Sequence, residues 1–292
     1  MKTEQIITLL FLFLFTITGI AKVTSLEAES FSQITTIVTE KSQQYGSKNT
    51  LIVFDIDNTL LTSNVDLGGD IWYQWQSQKL PVTPTREQIV PCLYEDAIGL
   101  LYKLGTMKPT ERQVPSLIIH WQQGGHDVIA LTARAPNVRP ATERALTRHG
   151  IDFTPSAVGH EGTNAPVYQN MLTLSDQTRE MSYMKGIMMT TGLNKGEALK
   201  YLIKRTGEDY RAIVFVDDSI NNITNMTDSY KNIDKVDLTA IHYTYIEQQR
   251  IKQFGALLTQ QQADSMATQW KELDQQLNDI FPGRINGGKC LN

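Results

Sequence analysis

The chain is short of most features that announce a function by composition alone. Its 292 residues hold two cysteines, Cys92 and Cys290, which excludes a cysteine-rich zinc module or a dense disulfide scaffold. Five histidines show no metal-ligand spacing: His120 and His126 flank a Gly-Gly turn, while His149, His160 and His242 stand alone. Charge is modest, 20% of residues with a net of −4, so there is no basic footprint for nucleic acid or an anionic membrane. No internal repeat and no low-complexity segment is present, which removes solenoids and disordered tracts. What remains, 41% hydrophobic with 8% aromatic residues, is the composition of an ordinary globular protein.

The one long apolar run stands at the front. Lys2 precedes residues 6–20, a stretch short for a bilayer span and of the right length for a signal-peptide core. Gly19-Ile20-Ala21 sets small residues before a cut, so residues 1–21 are expected to be a signal peptide cleaved after Ala21. An uncleaved anchor is the alternative, since Glu4 weakens the positive front. A periplasmic or secreted protein follows. The roughly 270 residues left are enough for one α/β domain plus an insertion. In an oxidising compartment Cys92 and Cys290 can pair and tie the C-terminal tail to the inserted region; two free thiols are the alternative.

Residues 51–61, Leu-Ile-Val-Phe-Asp-Ile-Asp-Asn-Thr-Leu-Leu, carry the chemistry. Four apolar residues read as a buried strand that ends on Asp55 and Asp57, whose i, i+2 spacing sends both carboxylates to one side. Converging carboxylates repel unless a cation or a proton lies between them. Asn58-Thr59 is turn chemistry that frees the strand end. Residues 128–134, Val-Ile-Ala-Leu-Thr-Ala-Arg, form a second buried strand that delivers Thr132. Residues 192–199, Gly-Leu-Asn-Lys-Gly-Glu-Ala-Leu, set Lys195 at a helix start. Residues 212–219, Ala-Ile-Val-Phe-Val-Asp-Asp-Ser, form a third strand ending on Asp217 and Asp218.

Taken in this order the four segments resemble the motifs of the haloacid dehalogenase superfamily, over roughly residues 48–245 less the insertions. Phosphoryl transfer needs an in-line nucleophile, neutralised oxygens and a proton for the leaving group. Asp55 suits the nucleophile and Asp57 the general acid and base. Asp217 suits a Mg²⁺ ligand, and Thr132 and Lys195 suit the phosphoryl oxygens, with Ala133 beside them. Arg134, two residues past Thr132, either reaches the phosphate or is a surface residue at the strand end. The resemblance implies these same roles, with the Asp57 backbone carbonyl as a further metal ligand. Many superfamily phosphatases carry another acid beyond the metal-binding one, where this chain has Asn221 and Asn222. Either Asp218 substitutes, or an Asn holds a metal-bound water.

The expected fold is α/β, a Rossmann-like doubly wound parallel sheet with its acids at the carboxyl strand ends. Its core is expected in three parts, residues 22–61, 113–150 and 191–292. Between them fall a mainly helical cap at 62–112 and a second insertion at 151–190, read as a β-hairpin or irregular flap. Asp70 is expected to cap a helix through Trp72, Tyr73 and Trp75, which are the candidates for substrate contact or else the cap's own small core. A C-terminal helix carrying Trp270, Leu273, Leu277 and Ile280 is expected to pack on the core. The function implied is that of an exported Mg²⁺-dependent phosphomonoesterase acting on a small phosphate ester. It is similar to bacterial secreted acid phosphatases of the superfamily, and across the whole chain closer to an uncharacterised bacterial branch that brings no substrate with it. A catalytically silent phospho-ligand or partner-binding protein and a phosphotransferase are the alternatives.

Overall fold

A computed structural model describes residues 22–159, 168–174, 177–284 and 290. The expected leader therefore lies outside the described residues, as does His160. The described residues form ten strands: β1 (Val23–Ala28), β2 (Thr50–Phe54), β3 (Leu61–Ser63), β4 (Met107–Pro109), β5 (Asp127–Thr132), β6 (Tyr168–Leu174), β7 (Gln177–Met184), β8 (Ile187–Met189), β9 (Ala212–Asp217) and β10 (Asp237–Tyr243). The α-helices are α1 (Phe31–Tyr45), α2 (Asp70–Gln76), α3 (Ile98–Leu104), α4 (Val114–Gln123), α5 (Arg139–Thr147), α6 (Lys195–Thr206), α7 (Ile220–Tyr230), α8 (Tyr245–Phe254) and α9 (Gln260–Ile280).

Eight strands make one sheet in the order β1-β10-β9-β2-β5-β8-β7-β6. The six strands from β1 to β8 pair in parallel, and β7 and β6 add to that edge by antiparallel pairing. The central strands are buried on both faces, as continuous apolar runs in a doubly wound sheet require. Their side chains alternate between two cores. Ile52, Phe54, Val128, Ala130, Val214 and Val216 meet α1, α4 and α5 on one face. Leu51, Val53, Ile129, Leu131, Ile213 and Phe215 meet α6 and α7 on the other.

Residues 23–28 form a strand at one edge of the sheet, and α1 after it buries Phe31, Ile34 and Val38. The second insertion takes the β-hairpin alternative: β6 and β7 pair antiparallel and, with β8, extend the main sheet. One expectation is corrected, because α9 does not pack on the core of the sheet. Its Ala263, Met266 and Trp270 join Ile71, Trp72, Trp75, Leu80, Ala97 and Leu101 of the first insertion in a third apolar cluster.

That insertion leaves and re-enters the core through the short antiparallel pair β3 and β4. It is then held from the C-terminal side at several points. Arg250 pairs with Asp66 at 2.7 Å, Arg284 with Asp96 at 2.9 Å, and Cys92 forms a disulfide with Cys290. Trp72 is 1% exposed and Trp75 0%, and the Trp72 ring lies 5.8 Å from that of Trp270. Tyr73 meets Tyr94 edge-on with Lys79 over its face. The two tryptophans are therefore core, the alternative left open by the sequence. Truncating one removes a large buried ring from a small cluster. Trp75→Ala is expected to destabilise the protein by about 3–5 kcal/mol, measured by denaturant titration, with the loss centred on the insertion.

Candidate active site

The candidate site forms at the carboxyl ends of β2, β9 and β5, where strand order turns back on either side of β2. Asp55 follows the last residue of β2, and its N–H donates to the Val216 carbonyl of the neighbouring strand at 2.9 Å. Asn58 then turns the chain in the left-handed region, φ 53°, which Asn tolerates better than most residues. Its amide donates to Asp70 at 2.9 Å and its carbonyl oxygen accepts from Thr62. Asp57 is thereby lifted off the ladder and set beside the insertion.

Lys195 is placed by the start of α6. Asn194 caps that helix by accepting from the Glu197 N–H at 3.1 Å. Gly196 lets α6 approach α7 closely, since a Cβ there would fall 2.5 Å from the Ser229 hydroxyl. The Lys195 ammonium is 1% exposed and donates to both Asp55 and Asp217 at 2.6 Å. Asp217 also accepts from the Ser219 N–H at 2.9 Å and from the Asn222 amide at 2.9 and 3.1 Å. Asn222 thus turns its amide nitrogen toward Asp217.

Oxygen atoms of Asp55, Asp217 and Asp218 lie within 4.8 Å of one another, a donor set that suits a hard divalent cation. Asp57 contributes no side-chain oxygen to that group. Its carboxylate is taken by Arg134 in a two-pronged ion pair, Nε to Oδ2 at 2.8 Å and Nη2 to Oδ1 at 2.7 Å. Arg134, which the sequence offers either as a phosphate contact or as a surface strand-end residue, is buried and faces Asp57. Thr132 is buried at the tip of β5, where its hydroxyl accepts from the Arg134 N–H at 3.2 Å. Ala133 links these two.

Asp70 escaped the sequence reading as a site residue. Its carboxylate accepts from Asn58 and Gln74 rather than capping α2, and no sequence signal reveals a partner twelve residues back. Five carboxylates converge here, and Lys195 and Arg134 form ion pairs with three of them, Asp55, Asp217 and Asp57. The excess of acid has a visible consequence. Burial pushes Asp55 up to about 7 against the pull of Lys195, with Asp217 and Asp57 adding repulsion. Burial likewise raises Asp70 to about 6, with Asp57 beside it, and raises Asp218 well above the usual carboxylate range.

A family model described as "Protein of unknown function (DUF2608)" matches residues 27–282. A Chlamydia pneumoniae protein named "Putative outer membrane protein" is 23% identical over 189 residues, 63% of this chain and 65% of its own length. The match thus spans less than two thirds of that relative. A Chlamydia trachomatis protein of the same name is 21% identical over 239 residues, 75% of this chain and 86% of its own. A haloacid dehalogenase-like family hydrolase from Streptococcus pneumoniae superposes with a TM-score of 0.34 at 13% identity, covering 66% of this chain and 94% of that one. A likeness that slight supports no assignment.

The raised acids set the sign of a pH effect. A carboxylate with a raised folded pKa binds its proton more tightly folded than unfolded, so stability falls as pH climbs from about 4 through the folded value. A bound cation reverses this by stabilising the ionised form. If a divalent cation such as Mg²⁺ takes up this donor set, it is expected to raise Tm clearly at pH 8 and little at pH 5, where a proton occupies Asp55. Asp217→Asn should abolish the shift at both pH values in differential scanning calorimetry.

Proposed function

The chain belongs to the DUF2608 family, and we propose that it is a Mg²⁺-dependent phosphomonoesterase of the haloacid dehalogenase type that works beyond the cytoplasm. The observation that carries this reading is the buried Lys195 bridging Asp55 and Asp217 across two parallel strand tips, with Asp218 completing an oxygen triad. A structural ion pair would not gather further acids around itself. A site that takes a divalent cation and a phosphate would, because each supplies charge that the other and the carboxylates balance.

Asp55, Asp217 and Asp218, with the Asp57 carbonyl, would hold Mg²⁺, which neutralises phosphate oxygens and lets an anionic carboxylate approach them. Asp55 attacks phosphorus through a carboxylate oxygen, forming an aspartyl phosphate as the bond from phosphorus to the leaving oxygen breaks. Asp57 gives its proton to that oxygen. In the second step Asp57 takes a proton from water as the water oxygen bonds to phosphorus, and the acyl phosphate bond breaks to restore the Asp55 carboxylate. Lys195, bonded to Asp55, would hold that carboxylate in one orientation and keep a fixed positive charge beside the phosphoryl group, and the Thr132 hydroxyl would donate to it. Export is supported by the Cys92–Cys290 disulfide, which an oxidising compartment preserves, and by the outer-membrane names of the relatives.

The deciding experiment is hydrolysis of p-nitrophenyl phosphate. Turnover is expected with Mg²⁺ and is expected to vanish with EDTA. Asp55→Asn should lower kcat by at least about 10³-fold, as loss of a nucleophile does. Turnover that survives either treatment would sink the mechanism. Tight Mg²⁺ binding without hydrolysis of any ester in a broad panel would mark a silent binding protein instead, and phosphate passed to an added alcohol would mark a transferase.

A further inference from the structure

Among the described residues, Arg134 is the most completely enclosed cation outside the Lys195 bridge. Its side chain is 2% exposed, and its donors are committed on three sides. Nε and Nη2 hold the two oxygens of Asp57, Nη1 donates to the Thr142 hydroxyl at 2.9 Å, and Nη2 also reaches the Met107 sulfur at 3.1 Å. The Tyr102 ring covers the guanidinium at 4.2 Å, within cation–π range, and the Tyr102 hydroxyl makes a long 3.5 Å contact to Asp57 Oδ2. A small cavity lined by Asp57, Tyr102 and Arg134 adjoins the group, with a volume of about 20 Å³, room for one water.

The parts come from both halves of the molecule. Arg134 and Thr142 belong to the core, on the loop after β5 and on α5. Tyr102 lies on α3 and Met107 on β4, both in the insertion. Arg144 of α5 fastens the end of α3 by donating to the Lys103 carbonyl at 2.7 Å. A carboxylate offers about four lone-pair sites, and the two-pronged arginine takes one on each oxygen. The proton that Asp57 must carry is therefore confined to what Arg134 leaves free, and the plane of the carboxylate is fixed by the plane of the guanidinium.

We infer that Arg134, held under Tyr102, is a positioning residue that orients Asp57 toward the leaving-group oxygen and does not bind the phosphate. This rests on the phosphomonoesterase reading given above. It has a signature that neither a phosphate ligand nor a merely structural arginine shares. Proton donation matters most for a poor leaving group and least for p-nitrophenolate, which departs without help. Phosphate binding matters equally for every ester.

The test compares kcat/KM, which reports the steps through aspartyl-phosphate formation, for phenyl phosphate and p-nitrophenyl phosphate with Mg²⁺. Arg134→Gln is expected to lose about 10²-fold on phenyl phosphate, the scale of general acid catalysis, and less than about 10-fold on the nitro ester. Arg134→Lys keeps the charge without the two-pronged geometry and should show the same discrimination. Should the arginine variants not fold, Tyr102→Ala unroofs the guanidinium and is expected to show selective loss on phenyl phosphate at smaller size. Equal losses on the two esters, in the arginine variants or in Tyr102→Ala, overturn the inference while leaving the phosphatase reading intact. A wild-type protein that hydrolyses neither ester overturns both.

Discussion

A lysine buried at the first position of a helix meets an unfavourable field, because the helix start carries partial positive charge and burial strips the ammonium of water. Lys195 occupies such a place, at the start of α6 and 1% exposed. Only the two carboxylates that flank it make the position tolerable, and they in turn need it. Asp217 is fully buried at the end of β9 and Asp55 nearly so beyond β2, and carboxylates placed that deep need a partner in contact. The parallel pairing of β2 with β9, the Asn194 cap and the close approach at Gly196 all converge on that contact. Removing one partner would leave an uncompensated charge in a dry place. The sheet's register and the site's electrostatics are thus the same constraint seen from two sides.

The central sheet was legible in the sequence because its strands are buried on both faces. A strand of that kind must read as an unbroken apolar run, and residues 51–54, 128–131 and 212–216 do. The acids were legible because they stand where those runs stop. β1 was not, since Val23-Thr-Ser-Leu-Glu-Ala is an edge strand half in solvent and carries no such run. The stripe on α9 was read in part: Trp270 and Leu273 do face a core, whereas Ile280 is exposed, and helical spacing says only that a face must be covered and not by what. Here the insertion covers Trp270 and Leu273. The same limit applies to the contacts of Arg134 with Asp57, Tyr102 with Arg134 and Asp70 with Asn58: each joins different elements, and local sequence holds no trace of the meeting.

The insertion is more than a cover laid on the sheet. It is joined to the core through β3 and β4, through the Arg134–Tyr102 contact beside Asp57, and through Asp70 on Asn58. On its far side it shares an apolar cluster with α9 and ion pairs with Arg250 and Arg284. Held from both directions, it does not resemble a lid on a single hinge. Motion that admits a ligand would have to be drawn from loops with few buried contacts, or from side chains, because displacing the whole insertion would open the cluster around Trp72 and Trp270.

The partnership between the insertion and α9 also orders events in time. Residues 70–101 are made early in the chain, while Leu258, Ala263, Met266 and Trp270 come more than 150 residues later. Until those arrive, Ile71, Trp72 and Trp75 have lost the surface that dries them, and the segment must pass through synthesis with its aromatic face uncovered. Contacts of such long sequence separation close slowly, since the loop entropy is lost before the contact is made. A nascent chain of this protein therefore offers a sticky, half-finished surface for most of its synthesis, a natural place for a chaperone to hold it.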